Sequence, residues 1–491
     1  MADFTVQSVA ATRGGTIYPE FPYAPAEAYP EYAGRDVAAA PNGVYAAVRE
    51  NFRLLGFDAA HFGTPGWNPL GHLIHPGDTV FIKPNWVDHR HRFGDDIWSV
   101  ITHPSVIRAT LDYALIALKG SGRVVVGDNP HVDTNFADLR KLSRLDDLAN
   151  YYRETRSVDV PFLDCRLWTL EDLDLYGYKV GRIPLPGDPA GVIEADLGAH
   201  SLFQDIPDAR FRGTYNDRQE TRDFHRNGHH TYVFSKSMYE ADVFISIPKL
   251  KSHAKVGATL NIKGLIGTIA EKNCLVHWRI GYPSQGGDEY PEPVRKSDRF
   301  KLSVQHFLMD HLPEKTHLCA RNFLRRTAAG RALIRAFRVE AQGKRVLRGS
   351  AALNDTTWRM TCDVYNLFVR DLPHNRIKPM RFLSIIDGIR GGDTDGPHFP
   401  CPVSPGIVIT GEDLLATDLA AVRLMDYDVG QIQYLRHLEA ETPRSVRILS
   451  ADFPLDDIRN HDMTMLAYRP PYRWENISLR RLKPGPSYLP L

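Results

Sequence analysis

Cysteine is scarce in this sequence, with five residues in 491 and no C-x-x-C pair. An odd, dispersed set of cysteines argues against a disulfide framework and indicates a reducing compartment. The same scatter excludes a zinc site built from thiolates, and no iron–sulfur cluster is expected. The five are Cys165, Cys274, Cys319, Cys362 and Cys401.

Other features are also absent. The 60 basic and 59 acidic side chains nearly cancel, so the basic surplus of a nucleic-acid-binding protein is missing and no nucleic-acid partner is expected. No apolar run approaches the length of a membrane span, and the first residues do not resemble a secretory leader. We therefore expect a cytoplasmic protein. Neither G-x-x-x-x-G-K-[ST] nor a strand followed by G-x-G-x-x-G occurs, which disfavours ATP or NAD binding by those routes.

Five short apolar segments are present, and most of them lead into a charged or amide side chain. Such runs are typical of strands buried on both faces of a parallel sheet. A helix predicted from about Thr102 to Gly120 lies between the first two and completes a βαβ unit. The sequence predicts an α/β fold, with a mostly parallel sheet flanked by helices, an N-terminal wrap and inserted segments. The strands are residues 80–83, 124–126, 243–247, 382–386 and 407–410.

The α/β core is interrupted twice. It is predicted to comprise residues 76–131, 241–283 and 373–436, with a wrap over residues 1–75 and a tail over residues 437–491. Residues 132–240 are mixed in pattern and form an insertion or second lobe, with a strand expected near residues 178–183. Residues 284–372 form a helical, basic insertion.

In an open α/β sheet the carboxyl ends of the strands form the ligand-binding rim. The expected rim side chains are Lys83, Asn85, Asp128 and Asp387, together with Asp413 after the last strand. We predict that Lys83, Asp128, Lys249 and Asp387 line one cavity at this edge.

The segment after residue 247 carries the most chemistry. In an extended chain the side chains of Lys249, Lys251 and His253 point to one face. Thr259, Asn261 and Lys263 repeat that spacing, and either a hairpin about Gly257 or a helix from near Thr259 brings the two sets together. Crowded ammonium groups can hold an anion, or they can depress the pKa of one lysine and free it as a base or nucleophile. The alternative is an edge strand that carries lysines to block aggregation.

These motifs resemble those of the family named domain of unknown function 362. The resemblance is carried by Pro-Lys-Leu-Lys-Ser-His from residue 248 and by Thr-Leu-Asn-Ile-Lys-Gly-Leu-Ile-Gly from residue 259, and it runs from about residue 78 to 436. It implies an α/β fold and a site on these motifs, without an assigned reaction. The chain departs from the family at Gly264, where an amide is usual, at Leu414 and Leu415, and in lacking the ferredoxin-like cysteine module of some members. The other matching pieces are Lys83-Pro84-Asn85, Gly127-Asp128, Asp387, Gly396-Pro397, Gly411 and Asp418.

The expected function is an enzyme acting on a small anionic metabolite that bears phosphate or carboxylate, with proton transfer as the favoured chemistry. The catalytic candidates are His253, Lys263 and Lys249. The substrate-binding candidates are Lys83, Asn85, Lys251, Asn261 and Gly396. A non-catalytic protein that binds an anion or an assembly partner at the same rim is the alternative.

A divalent cation is one candidate cofactor. Asp128 and Asp387 could hold it, with Asp393, Asp395 and His398 as further hard ligands, and a metal-dependent hydrolase is then the third candidate function. Asp128 could instead be a turn residue, since Gly-Asp-Asn-Pro is strong turn chemistry.

The basic segment 321–348 also carries apolar side chains. It predicts an amphipathic helix that contacts an anionic membrane peripherally or packs on its own domain with a solvated basic face.

Overall fold

The computed structural model describes most of the chain. The described residues are 6–32, 34, 36–170, 182–213, 218–290, 296–312, 314–336, 340–341, 344–345, 349, 352, 354–374, 376–463 and 465–484. Most of the strand predicted at residues 178–183 lies outside them, and only Arg182–Pro184 is seen as a strand.

One large sheet organises the molecule. Its strands are β1 (Val6–Arg13), β2 (Thr79–Pro84), β3 (Arg123–Asp128), β4 (Phe162–Asp164), β5 (Val243–Ile247), β6 (Lys249–His253), β7 (Gly257–Ala258), β8 (Arg381–Asp393), β9 (Cys401–Val403), β10 (Ile407–Gly411) and β11 (Ser445–Leu449). Their order is β11-β1-β10-β8-β5-β2-β3-β4, with β6 and β9 paired to β8 and β7 paired to β6.

The middle of this sheet is parallel, as predicted. Strand β5 pairs in parallel with β2 on one side and β8 on the other, and β3 and β4 continue the parallel block. The predicted core is narrower than the observed sheet. Strands β1, β4 and β11 come from the segments assigned to the wrap, the insertion and the tail, so these segments contribute strands to the central sheet.

Helices cover both faces of the sheet. They are α1 (Gly43–Leu54), α2 (Pro104–Leu118), α3 (Phe136–Leu142), α4 (Leu145–Arg156), α5 (Arg218–Asp223), α6 (Lys236–Tyr239), α7 (Leu260–Gly264), α8 (Lys296–His311), α9 (Glu314–Arg326), α10 (Ala328–Ala336), α11 (Thr357–Phe368), α12 (Leu414–Leu424) and α13 (Gln433–Glu441).

Alternation along β2 shows how the two layers share the core. Val80 and Ile82 pack in the cluster that contains α1 and α2, whereas Phe81 packs in the cluster that contains α11 and α12. Successive side chains of a strand point to opposite faces, so a strand covered on both sides is apolar throughout. This explains the uninterrupted apolar runs.

The helix predicted from Thr102 is α2, but its N-cap is His103, whose side chain accepts a hydrogen bond from the Ser105 amide. Thr102 instead forms hydrogen bonds to residues at the ends of two strands. Its hydroxyl donates to the carbonyl of Ile247 at 2.6 Å and accepts from the Asn85 amide at 2.9 Å. The residue thus joins the ends of β2 and β5.

Strand β10 corrects one expectation about the rim. It is antiparallel to β8, with Gly411 opposite Ser384. Gly411, Glu412 and Asp413 therefore lie at the opposite edge of the sheet from Lys83 and Asp128. Asp413 caps α12 by accepting from the Ala416 amide and pairs with Arg444 at 2.8 Å, so its role there is structural.

The basic segment 321–348 is not one helix. Helix α9 ends at Arg326 and α10 begins at Ala328, and residues 337–339, 342–343 and 346–348 lie outside the described part of the chain. Within the described residues, no helix combines the length and the apolar character that crossing a membrane requires.

Candidate active site

A cavity of about 350 Å³ opens at the carboxyl ends of β2 and β3. Lys83 and Asp128 stand at these two strand ends and form an ion pair of 2.8 Å. Asp128 also accepts from the Trp86 amide at 2.7 Å. Gly267 lies so close that a Cβ there would sit 2.4 Å from a carboxylate oxygen of Asp128. A glycine is therefore required at this position for the loop to cover the pair.

The hairpin and the helix predicted after residue 253 are both present. Strands β6 and β7 pair antiparallel through His253 and Gly257, and α7 then begins at Leu260. His253 and Lys263 are thereby brought to the same cavity, as are Asn85 and Gly396. Asn85 donates from its amide to the carbonyl of Val100, and the Gly396 carbonyl accepts from the Ala254 amide.

Lys249 and Asp387 do not line this cavity, so the predicted four-residue cavity is wrong for this pair. Both are fully buried and form an ion pair of 2.6 Å. Strand β8 continues past residue 386 to Asp393, which places Asp387 in mid-strand beside Lys249. The carboxylate also accepts from the Tyr18 hydroxyl at 2.7 Å and the His103 amide at 2.9 Å.

Lys251 and Asn261 are likewise not among the residues that line the cavity. Lys251 is buried and donates to the carbonyls of Val100 and Pro397 at 2.8 and 3.1 Å. Asn261 donates from its side chain to Asp418 at 2.8 Å. The pairing of β6 with β8 is irregular, since Lys249 is opposite Asp387 but Lys251 is opposite Gly392.

Three lysines besides Lys83 line the cavity, and sequence reasoning identified only Lys263. The others are Lys255 and Lys272. In the part of the chain that the structure describes, none of the three forms an ion pair with a carboxylate. Lys272 donates to the carbonyl of Asn129 at 2.9 Å, and Lys255 lies 5.0 Å from the centre of the Trp278 ring. The cavity therefore carries an excess of positive charge.

Burial in this positive surrounding changes the titration of the lysines. Burial, reinforced by the charges of Lys255, Lys272 and Lys83, lowers the pKa of Lys263 to about 7. Burial likewise lowers the pKa of Lys272 to about 7 and that of Lys255 to about 8. At pH 7 an amine with a pKa of about 7 is neutral in about half of the molecules and can accept a proton, whereas Lys255, with a pKa of about 8, is mostly charged.

Two imidazoles complete the chemistry. Burial, with the charges of Lys263 and Lys255, lowers the pKa of both His253 and His277 well below its ordinary value, so both rings are neutral at pH 7. Nδ1 of His253 accepts from the Lys255 amide at 3.0 Å, which leaves the proton on Nε2. Nδ1 of His277 lies 3.2 Å from the Leu275 carbonyl and donates to it, which leaves Nε2 as an acceptor. The cavity thus contains one imidazole donor and one imidazole acceptor.

Lys255 could have been predicted from the sequence, whereas Lys272 could not. Lys255 continues the two-residue spacing of Lys249, Lys251 and His253, so extending the pattern by one step would have found it. Lys272 and His277 follow no such spacing. Only the fold of residues 265–277 brings them to the cavity.

Asp128 and Asp387, the residues expected to hold a cation, do not form a shared ligand set. Each is engaged by an ammonium group and by backbone amides, in two separate places. No cluster of three or more His, Cys, Asp or Glu side chains suited to a metal ion occurs among the described residues.

The fold and site define an α/β protein with a lysine-lined cavity at the carboxyl edge of its sheet. Residues 193–423 match the model of the family described as "Domain of unknown function (DUF362)". The match includes Lys263, whereas Lys83 and Asp128 precede it. The chain is also 23% identical over 243 residues to the thylakoid-associated protein sll1697 of Synechocystis sp.. That alignment covers 49% of this chain and 55% of the relative, so the chain spans about half of the relative's length.

Proposed function

We propose that the chain is an enzyme that binds a small anionic metabolite in the lysine-lined cavity and transfers a proton on it. The observation that supports this most is the excess of cations: Lys255, Lys263 and Lys272 share one cavity without a carboxylate partner among the described residues. An anion between them relieves their repulsion, and a phosphate or carboxylate fits that requirement.

Each group has a distinct role in this proposal. Lys255 and Lys272, with Lys83, bind the anionic group. Lys263 is the proton acceptor because its amine is substantially neutral and has no ion-pair partner in the described chain. His253 donates from Nε2 to an oxygen of the ligand. A non-catalytic anion-binding protein needs the first set of groups and has no use for a neutral Lys263.

Anions are expected to raise the melting temperature of the full chain in a thermal-shift screen of phosphate, sugar phosphates and dicarboxylates. A ligand that binds only the folded state at 100 times its Kd adds about 2.7 kcal/mol of stability. The shift should weaken at high salt and fall strongly in Lys255→Met and Lys272→Met.

Two matched variants sharpen this screen. Gly264→Leu changes no charge, and a Cβ at Gly264 meets open space beside the cavity, so this variant should block binding sterically. Lys141→Met removes an exposed lysine and should leave the shift intact. If no anion shifts the melting temperature, or if Lys141→Met loses the effect equally, the cavity is not the anion site.

A second partner proposed for the chain is an anionic membrane surface, contacted through the helices around residues 321–348. Phe307 of α8, Phe323 of α9 and Leu333 of α10 are exposed, and basic residues are frequent along these helices. Exposed aromatic side chains with nearby cations suit peripheral contact with anionic lipid.

The cysteines are all free, and this supports the further proposal that the chain is cytoplasmic.

Vesicle sedimentation tests the membrane contact. The full chain should sediment with phosphatidylglycerol vesicles at low salt and not with phosphatidylcholine vesicles. Phe307→Ser combined with Phe323→Ser should reduce binding several-fold. Ile377→Ser, at a side chain that is 99% exposed elsewhere, should not reduce it. Equal sedimentation of the double variant and the unaltered chain would contradict the assignment.

A further inference from the structure

Lys263 is held in place by an interaction that does not use its side chain. Asp418 of α12 is fully buried, and its carboxylate accepts from the backbone amides of Asn261 and Ile262 at 2.9 Å each. This clamp fixes the first turn of α7, which ends at Lys263 and Gly264. The amine is therefore carried on a rigid element, as precise chemistry requires.

The space around the amine is open. Lys263 lines the cavity and makes no hydrogen bond or ion pair within the described chain, whereas Lys83 and Lys272 are both engaged. Gly264, the residue after it, has nothing within 4 Å of a Cβ position. A ligand atom can therefore approach the amine without displacing another side chain.

The groups facing the amine favour its neutral form. The cations are Lys255, Lys272 and Lys83, and the nearby imidazoles of His253 and His277 are neutral. A lysine desolvated beside other cationic groups is the kind that attacks carbonyl carbons. The same setting that makes Lys263 a base thus makes it a nucleophile.

The side chains of the cavity wall indicate that part of the ligand is apolar. Val87, Ile266, Leu275, Trp278 and Phe399 also line the cavity, so its wall includes apolar surface beside the cations. A small sugar phosphate would leave these surfaces without a partner. A carboxylate with an apolar substituent satisfies both the cations and the walls.

We propose that the ligand is a 2-oxo acid with an apolar side chain, and that Lys263 condenses with its carbonyl carbon to form an imine. This inference rests on the proposed function, because Lys255 and Lys272 must first bind the carboxylate. The Nζ lone pair attacks the carbonyl carbon, and the C–O π electrons move to the oxygen, which accepts a hydrogen bond from Nε2–H of His253. His277 takes one proton from the nitrogen at Nε2 and passes it to this oxygen, which gives the neutral carbinolamine. The nitrogen lone pair then expels the hydroxyl group, His277 carries the second N–H proton to it, and water leaves as C=N forms.

The step involves no redox change, and hydrolysis of the imine reverses it. The imine also increases the acidity of the neighbouring C–H bond, since its nitrogen accepts the electron pair left behind. That consequence connects the covalent step to the proton transfer proposed for the site. Because Nζ of Lys263 is then part of the imine, Nε2 of His277 accepts the C–H proton in its place.

Borohydride trapping tests the inference. The full chain is incubated at pH 7 with phenylpyruvate, the imine is reduced with sodium cyanoborohydride, and the modified peptide is identified by mass spectrometry. We expect one saturable adduct per chain, located on Lys263, and labelling at least ten times faster than at the exposed Lys141. 3-Phenylpropionate, which has the carboxylate and ring but no carbonyl, should compete.

The variants separate this inference from the proposed function. Lys263→Met should remove the adduct but leave the thermal shift with 3-phenylpropionate, whereas Lys255→Met should weaken both. If both acids raise the melting temperature but no adduct forms on Lys263, the imine is overturned and anion binding stands. An adduct on Lys255 or Lys272 instead also overturns the assignment. If neither acid shifts the melting temperature and labelling spreads over exposed lysines, both proposals fail.

Discussion

Replacing Asp387 with alanine is expected to lower the free energy of unfolding by about 3–5 kcal/mol, the usual cost of breaking a buried ion pair. The carboxylate and the Lys249 ammonium are both fully buried, 2.6 Å apart. The variant leaves that ammonium without its counter-charge, and it leaves the Tyr18 hydroxyl and the His103 amide without their acceptor. Urea denaturation monitored by fluorescence, at pH 7, measures the change.

A double variant identifies the cause. Lys249→Met removes the charge that Asp387 neutralises, so Asp387→Ala combined with Lys249→Met should be much less destabilised than the sum of the single variants. Additive losses would show that the packing around Tyr18 and His103 matters more than the ion pair. Lys249, a catalytic candidate from the sequence, would acquire a structural role if the coupling is found.

The strands and the hairpin could be predicted because their causes are local. Uninterrupted apolar runs mark strands buried on both faces, and β2, β3, β5, β8 and β10 all contain the predicted segments. The turn at Gly257 has a positive φ of 87°, which glycine adopts without strain. Such features depend only on a few neighbouring residues, so the sequence predicts them.

The direction of a strand and the irregularities of its pairing could not be predicted from neighbouring residues. The apolar run at residues 407–410 looks the same whether β10 runs parallel or antiparallel to β8, so the sequence pattern alone predicts the wrong edge for Asp413. The two-residue alternation groups Lys249 and Lys251 with His253, but of the three only His253 lines the cavity. Lys272 reaches the cavity through tertiary structure alone.

These differences change which residues crowd together at the edge of the sheet. The sequence indicated lysines and a histidine that crowd around an anion. In the structure that crowding involves Lys255, Lys263 and Lys272 with His253, while Lys249 and Lys251 are bound within the core. The charge pattern therefore predicted that cations would gather at this edge, but it named Lys249 and Lys251, which do not line the cavity.

Lys263→Met is expected to have opposite effects on stability and on turnover. The fold lowers the pKa of Lys263 to about 7 from its ordinary 10.5, so between these values the unfolded chain binds more protons than the folded one. Stability contributed by this group therefore rises with pH across that window, and the cost of the buried ammonium is greatest below pH 7. Methionine removes that cost. The free energy of unfolding of the variant should exceed that of the unaltered chain by on the order of 2 kcal/mol at pH 6.5, a figure already reduced for the partial exposure of the Lys263 side chain. Above pH 10.5 the two should be almost equal.

Turnover should respond in the other direction. Loss of a positioned proton-transfer group lowers a rate by about 10²–10⁴-fold, so the more stable variant should be nearly inactive on the anion identified by the thermal-shift screen. Urea denaturation at several pH values, paired with the rate measurement, checks both effects, and Lys141→Met should change neither. A gain in stability without loss of turnover would show that Lys263 destabilises the fold but takes no part in the reaction, and His253 would then be the remaining proton-transfer candidate. Loss of turnover without the pH-dependent gain would show that the amine stays charged in the fold and acts by binding the anion.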